Sequence, residues 1–315
     1  MKGKFGKLCT VYLVSILAMS FLASCTPPPE SVTPSSTQIT DQLGRVVKIN
    51  KTPQRIISIA PGNTEILYAL GLSEELVAVT KYCDYPPAAK EKPKIGGYTT
   101  PNIEEIVALS PDLILATSQH QERIIPQLEE KGLTVFALAP NTLDNVLTAI
   151  KLVGDVTGKQ EEAAKLLTDM RSRIKAVTDK AESIPEDKRP LVFYLTWHDP
   201  LKTSGQGTLN NELLQQAGGR NIFSEVNGTQ SVDLESLLSR NPQVVIAGIG
   251  MGSGEDQTLI YLKTESRLQN TEAIKGNRIY GIDTDITGRG GPRIVDGLEQ
   301  YARCIHPEIF GPPEN

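Results

Sequence analysis

The chain carries little of what enzymatic chemistry most often uses. Its 315 residues include 4 cysteines, 3 histidines and 1 tryptophan, and 5% of it is aromatic. It has no Gly-x-Ser-x-Gly elbow, no His-Glu-x-x-His and no Cys-x-x-Cys, so the commonest signals for a hydrolase nucleophile, a zincin or a thiol redox pair are missing. Positive charge is not in excess either. A formal net charge of −5 argues against nucleic acid as a partner, because phosphate binding rests on clustered Lys and Arg. The glycine-rich stretch 248–254 follows a predicted strand but misses dinucleotide spacing, since Glu255 stands three after Gly252. It reads as a flexible loop.

One apolar run stands out, residues 8–21, behind Lys2, Lys4 and Lys7. It is too short to span a bilayer comfortably and has the layout of a cleaved export signal. Leu22-Ala23-Ser24-Cys25 closes it and resembles a bacterial lipobox, whose cysteine is lipidated and becomes the first mature residue. Residues 1–24 are therefore expected to be a lipoprotein signal peptide. Residues 25–40, with Pro27, Pro28, Pro29, Pro34 and a Ser/Thr run, are expected to be a flexible tether. The folded part then lies outside the cytoplasm, anchored to the cell membrane by lipid. Two cysteines remain for it, and Cys83 and Cys304 fit a disulfide or two buried thiols equally well.

The remaining length suffices for two domains with cores of their own. Apolar runs at 55–60, 76–80, 134–138, 191–196 and 278–283 alternate with helical spacing at 63–70, 121–131, 143–153 and 209–217. This is an α/β pattern with mostly parallel sheets. Between 156 and 184, Leu167, Met170, Ile174, Val177 and Ala181 fall at steps of three and four, which predicts one long helix with a single apolar stripe. The expected organisation is an N-terminal lobe over 41–155, a linker helix over 156–187 and a C-terminal lobe over 188–315, with a ligand cleft between the lobes.

One unit occurs twice. Residues 102–116 return in altered form as 233–247: an N-cap candidate (Asn102, Asp233), a short helix, Ser-Pro or Asn-Pro, then an apolar strand. Glu104 and Glu235 each stand seven residues before their proline, in the first turn of the helix. For either one alone, attraction to the helix N-terminus is as good an explanation. The matched pair favours docking to a symmetric partner.

Two lobes joined by a helix leave a cleft at the carboxyl ends of their strands, where open α/β sheets bind ligands. Tyr82, Tyr85, Tyr98 and Trp197 fall at or beside those loops, and large flat side chains suit a bulky, partly apolar ligand. Packing of Tyr82 and Tyr85 on the Pro86-Pro87 turn is the plainer alternative. His120 and His198 could face the cleft and bind a metal or haem iron, though a surface or supporting role is the commoner outcome for such histidines.

Several stretches together resemble the iron and cobalamin substrate-binding proteins of ABC importers: Arg55-Ile56-Ile57-Ser58-Ile59-Ala60-Pro61 with Asn63-Thr64-Glu65, Ser110-Pro111-Asp112-Leu113-Ile114, Gln216-Ala217-Gly218-Gly219-Arg220-Asn221-Ile222-Phe223, and Arg289-Gly290-Gly291-Pro292-Arg293. The resemblance covers residues 41–310 and implies two Rossmann-like lobes rigidly joined by a helix, with no catalysis and no cofactor. Tyr82-Cys83-Asp84-Tyr85-Pro86-Pro87-Ala88-Ala89-Lys90 and Ile95-Gly96-Gly97-Tyr98 look like the cobalamin-binding branch. It implies corrinoid contacts at Tyr82, Tyr98 and the run Asp285-Ile286-Thr287-Gly288-Arg289, to which Tyr85 and Trp197 are added here. Asp285 would accept hydrogen bonds from corrin amides, and Arg289 would contact ligand or brace its own loop. Glu104 and Glu235 fall where the family places its permease-docking glutamates. The implied partners are an ABC permease dimer with a cytoplasmic ATPase, served by a monomer. At Thr117 and Thr229 the chain departs from the known cobalamin binders, which have an aromatic residue there; Trp197 is expected to compensate. The alternatives are a ferric siderophore or haem carrier of the same fold, and a metal-dependent surface hydrolase using His120, His198 and Asp199.

Overall fold

A computed structural model describes residues 37–250 and 256–313. The signal peptide, Cys25, most of the tether and residues 251–254 of the glycine-rich stretch lie outside the described residues. No helix among those described is long and apolar enough to cross a membrane.

The N-terminal lobe begins with an antiparallel hairpin of β1 (Thr37–Thr40) and β2 (Val46–Ile49). The end of the expected tether is thus a strand. Its turn is fixed by the buried Asp41 carboxylate, which accepts from the backbone N–H of Leu43 (3.0 Å), Arg45 (2.9 Å) and Ala137 (3.1 Å). The lobe continues as β3 (Ile56–Ser58), α1 (Pro61–Ala69), β4 (Leu76–Val79), α2 (Ile103–Ala108), β5 (Leu113–Thr117), α3 (Ile124–Glu130), β6 (Val135–Leu138) and α4 (Leu143–Thr157). Strands β3, β4, β5 and β6 form an all-parallel sheet in the order β4-β3-β5-β6.

Helix α5 (Gln160–Glu182) is the predicted linker, shorter at its start than expected. Gly158, at φ +75°, closes α4 in the left-handed conformation, so Val156 and Thr157 belong to the helix before it. The predicted stripe holds: Leu167, Met170, Val177 and Ala181 are buried and Ile174 packs beside them.

The C-terminal lobe comprises β7 (Leu191–Leu195), β8 (Trp197–His198), β9 (Leu201–Ser204), α6 (Leu209–Gln216), β10 (Arg220–Asn221), β11 (Thr229–Ser231), α7 (Leu234–Arg240), β12 (Val244–Ile249), α8 (Gln257–Thr264), α9 (Glu272–Lys275), β13 (Ile279–Asp283), α10 (Thr284–Gly288), α11 (Ile294–Ile305) and α12 (Pro307–Phe310). A second all-parallel sheet runs β10-β7-β12-β13, and β8, β9 and β11 form a small antiparallel sheet. The repeated unit folds alike both times. Ser110 (φ 46°) and Asn241 (φ 43°), the residues before the matched prolines, both take the left-handed conformation.

Side-chain alternation builds the core. On β7 and β12, Val192, Tyr194, Val244 and Ile246 face one apolar layer, and Phe193, Leu195, Val245 and Ala247 face another. On β5, Leu113 and Leu115 divide from Ile114 and Ala116 in the same way. The first layer is continuous from Phe136 in the N-terminal lobe through Leu167 and Met170 of α5 to Leu213 and Tyr301 in the C-terminal lobe. Each fully buried side chain there contributes about 1.5–3 kcal/mol. Arg173 on α5 adds ion pairs to Asp296 (2.6 Å) and Glu299 (2.8 Å) on α11. Cys83 and Cys304 are buried free thiols, and burial pushes the Cys304 thiol up to about 12.

Candidate functional site

A cavity of about 480 Å³ opens where the carboxyl ends of β3, β4, β5 and β6 meet α10 of the other lobe. From the N-terminal lobe come Ala60-Pro61-Gly62 after β3, Tyr82 after β4, Tyr98, Thr117-Ser118-Gln119 from the end of β5, and Pro140-Asn141 after β6. From the C-terminal lobe come Asp285, Gly288 and Arg289.

The N-terminal wall is set by buried hydrogen bonds. Asn63 Nδ2 donates to the Ala116 carbonyl (3.0 Å), and Thr64 Oγ1 donates to Ser58 Oγ (2.8 Å), which ties the start of α1 to β3 and β5. Tyr98 is held at both ends of its residue. Its hydroxyl lies 2.9 Å from Thr117 Oγ1, and its carbonyl lies 2.8 Å from His120 Nε2. Because His120 Nδ1 accepts the Thr117 backbone N–H (3.0 Å), the ring proton sits on Nε2 and is donated to Tyr98. The two rings meet edge to face at 5.0 Å.

Both His120 nitrogens are therefore engaged inside the fold, and burial lowers its pKa below the ordinary 6.5. A ring kept neutral in the fold and protonated in the unfolded chain gives stability that is complete above pH 6.5 and is lost as pH falls below it. In a histidine NMR titration, the His120 resonances are expected to keep their neutral positions at a pH where free imidazole is mostly protonated. A midpoint at or above 6.5 would refute this wiring.

The floor is a chain of ion pairs across the lobes. Arg289 Nη1 donates to Asp84 Oδ1 at 2.6 Å, Nη2 donates to Asp285, and Glu65 lies 3.8 Å away. Glu65, on α1 and 4% exposed, receives a two-pronged bond from Arg293 (2.6 and 3.0 Å). Burial raises the Glu65 and Asp285 carboxyls despite their arginine partners. At Asp84 burial also pushes upward, but the Arg289 hydrogen bond and charge outweigh it and leave the carboxyl below its ordinary value. Backbones touch as well. A Cβ on Gly62 would lie 2.0 Å from the Arg289 carbonyl, and one on Gly290, at φ +63°, would lie 2.6 Å from Pro140 Cγ.

Of the residues singled out from sequence, Tyr82, Tyr98, Asp285, Gly288 and Arg289 come together on the cavity. The others are elsewhere. Residues 284–288 form a helical turn, so 285, 288 and 289 share a face, whereas Ile286 packs on the core and Thr287 is buried. Tyr85 lies behind the ion-pair wall, its ring under the Arg293 guanidinium at 3.8 Å, in a separate crevice with Glu65. Trp197 is 37% exposed and outside the cavity lining; its Nε1 donates to the Asp199 carbonyl (2.8 Å) and its ring neighbours His198. Arg289, offered as a ligand contact or a brace, has both terminal nitrogens on carboxylates. Pro140-Asn141 was missed in the sequence, though it follows a predicted strand and the strand-end rule covers it.

The His198 ring makes tilted contacts with Trp197 (4.9 Å) and Tyr261 (5.8 Å), and its Nδ1 is buried with no hydrogen-bond partner among the described residues. The hydrolase alternative thus loses His120 as a free ligand, and no cluster of three metal-ligating side chains occurs among the described residues.

Glu104 and Glu235 are exposed in the first turns of α2 and α7. Asn102 Oδ1 caps α2 by accepting from Glu104 N (3.1 Å) and Glu105 N (3.3 Å), and Asp233 caps α7 by accepting from Ser236 N (2.7 Å). The Asn102 N–H donates to Ile95, whose own N–H donates to Val79 at the end of β4, so α2 starts at the carboxyl edge of its sheet.

Residues 56–286 match the family model described as periplasmic binding protein. The chain is similar to an uncharacterized ABC transporter substrate-binding lipoprotein of Bacillus subtilis, at 29% identity over 96% of this chain and 99% of that one. It is 32% identical to a vitamin B12-binding protein of Vibrio cholerae over 80% of this chain and 89% of that one. Among solved structures, a periplasmic heme binding protein of Pseudomonas aeruginosa superposes with a TM-score of 0.72 at 27% identity, covering 81% of this chain and 93% of that one.

Proposed function

We propose that this chain, which belongs to the periplasmic binding protein family, captures a corrinoid in the cleft and delivers it to the permease of an ABC importer. The polypeptide is held outside the cytoplasm by a lipid on Cys25. It makes and breaks no bonds in its cargo.

The observation that carries the corrinoid reading is the state of charge in the cleft. Among the described residues the only charged side chains lining it are Asp285 and Arg289, and they are bonded to each other. Arg289's other terminal nitrogen is on Asp84, so the described lining offers no unpaired cation. Haem brings two propionates and many ferric chelates are anionic; each would lose hydration here without gaining a partner. A corrin rim carries neutral amides, which can donate to the outer oxygens of Asp285 and exchange hydrogen bonds with Gln119 and Asn141. Tyr82, 51% exposed at the mouth, offers a ring to the apolar edge of the macrocycle. Lys81 lies over that ring, Nζ 4.8 Å from its centroid, outside the lining. The likeness to a vitamin B12-binding protein supports the same cargo.

Calorimetric titration with cobalamin, cobinamide and haem tests the reading. Both corrinoids are expected to bind and haem to bind far more weakly; haem binding as tightly as cobalamin would overturn it. Tyr82→Ala is expected to weaken cobalamin by about 1 kcal/mol, roughly fivefold. Trp197→Ala measures whether bound cargo reaches the rim of the second lobe.

A further inference from the structure

We propose a second binding site in this chain, for a small oxyanion such as inorganic phosphate or a phosphate monoester, at the end of the C-terminal lobe away from the cleft. A cavity of about 670 Å³ lies there, beside Arg189, Arg220 and Arg240. Leu191 and Arg220 are the first residues of β7 and β10, so this cavity opens at the amino edge of the sheet.

The three arginines differ in their partners. Arg240 is neutralised, with Nη2 2.7 Å from Glu225 and Nη1 donating to the Ile222 carbonyl. Arg189 and Arg220 are half-buried, and the bonds that hold them go to backbone carbonyls. Arg189 donates through Nε to Ile184 (3.2 Å) and through Nη2 to Ala181 (3.3 Å). Arg220 Nε donates to the Arg189 carbonyl (3.0 Å), which fixes the second guanidinium relative to the residue that bears the first. Among the described residues neither has a carboxylate within ion-pair distance. Both terminal nitrogens of Arg220 and Nη1 of Arg189 keep open donors.

A half-buried cation without a counter-ion is costly, and two fixed guanidiniums are a geometry that oxyanions accept through paired hydrogen bonds. Three arginines against two glutamates, Glu225 and the exposed Glu186, leave this lining net positive in a chain whose net charge is −5. The ligand cleft is the opposite case, with every lining charge already paired.

Titration of the purified protein with inorganic phosphate, at ionic strength held constant with chloride, tests the site by calorimetry and by thermal melting. A saturable heat and a phosphate-specific rise in Tm are expected. Arg220→Gln should weaken phosphate at least tenfold and Arg220→Lys, which keeps charge but loses the fork, at least threefold, with circular dichroism showing both variants folded. Cobalamin affinity should be unchanged. No saturable phosphate effect in the unaltered protein, or an effect retained by the folded Arg189→Gln, Arg220→Gln double variant, would overturn the assignment.

Discussion

Reversing Glu104 and Glu235 to arginine together is expected to abolish cargo uptake by cells while leaving cargo affinity of the purified protein within roughly twofold. The two carboxylates are exposed, stand in matched first turns, and lie outside the cavity lining. We propose that they dock the chain to a two-subunit permease, one from each lobe; an exposed pair contributes more to steering and register than to affinity. Reversal does more than remove attraction, because like charges set against a complementary surface cost several kcal/mol, more than roughly a hundredfold in docking. Single reversals should each leave partial uptake, since one lobe still presents its knob. Uptake that survives the double reversal, or cargo binding lost along with it, would remove the docking role and return both glutamates to the service of their helix N-termini.

The largest expected loss of stability follows Glu65→Ala. Among the described residues Glu65 is the one carboxylate bonded to Arg293, and it sits 3.8 Å from Arg289, with its own side chain 2% exposed and those arginines 17% and 12% exposed. Truncation leaves the largely buried Arg293 guanidinium without its carboxylate, while Arg289 keeps Asp84 and Asp285. Breaking one side of a buried ion pair typically costs about 3–5 kcal/mol, because the remaining charge is uncompensated. Equilibrium unfolding in urea measures it. Glu65→Gln keeps the shape and one acceptor and should cost less. A loss under about 1 kcal/mol for the alanine variant would mean that Arg293 finds water or another carboxylate instead. Since the pair joins α1 to α11, the alanine variant should also loosen the contact between lobes, detectable as faster backbone hydrogen exchange at 289–293.

Much of the scaffold was legible without coordinates. The α/β alternation, the parallel sheets and the apolar stripe of α5 rest on periodicities of two and 3.6 residues, which are local properties of the chain. The repeated unit was legible for the same reason, down to the prolines that end its helices. Local patterning failed where elements are very short. The strands β8, β10 and β11 have two or three residues each, too few to show a period, and Thr229–Ser231 is exposed throughout. The resemblance implied contacts along the whole run 285–289, and one turn of helix is too short to show a stripe that would divide it; folded as a turn over 284–288, it directs Ile286 and Thr287 into the lobe.

Sequence by itself determined the longer elements, the two lobes, the family and the strand ends at which a ligand would sit, because each depends on residues near one another in the chain. Tertiary structure decided the chemistry of the cleft. Arg289 meets Asp84 across 205 positions, and Arg293 meets Glu65 across 228. Whether a charge is free for a ligand or already paired depends on such distant partners, and no local pattern encodes them. A buried charge takes its character from whatever the fold packs against it.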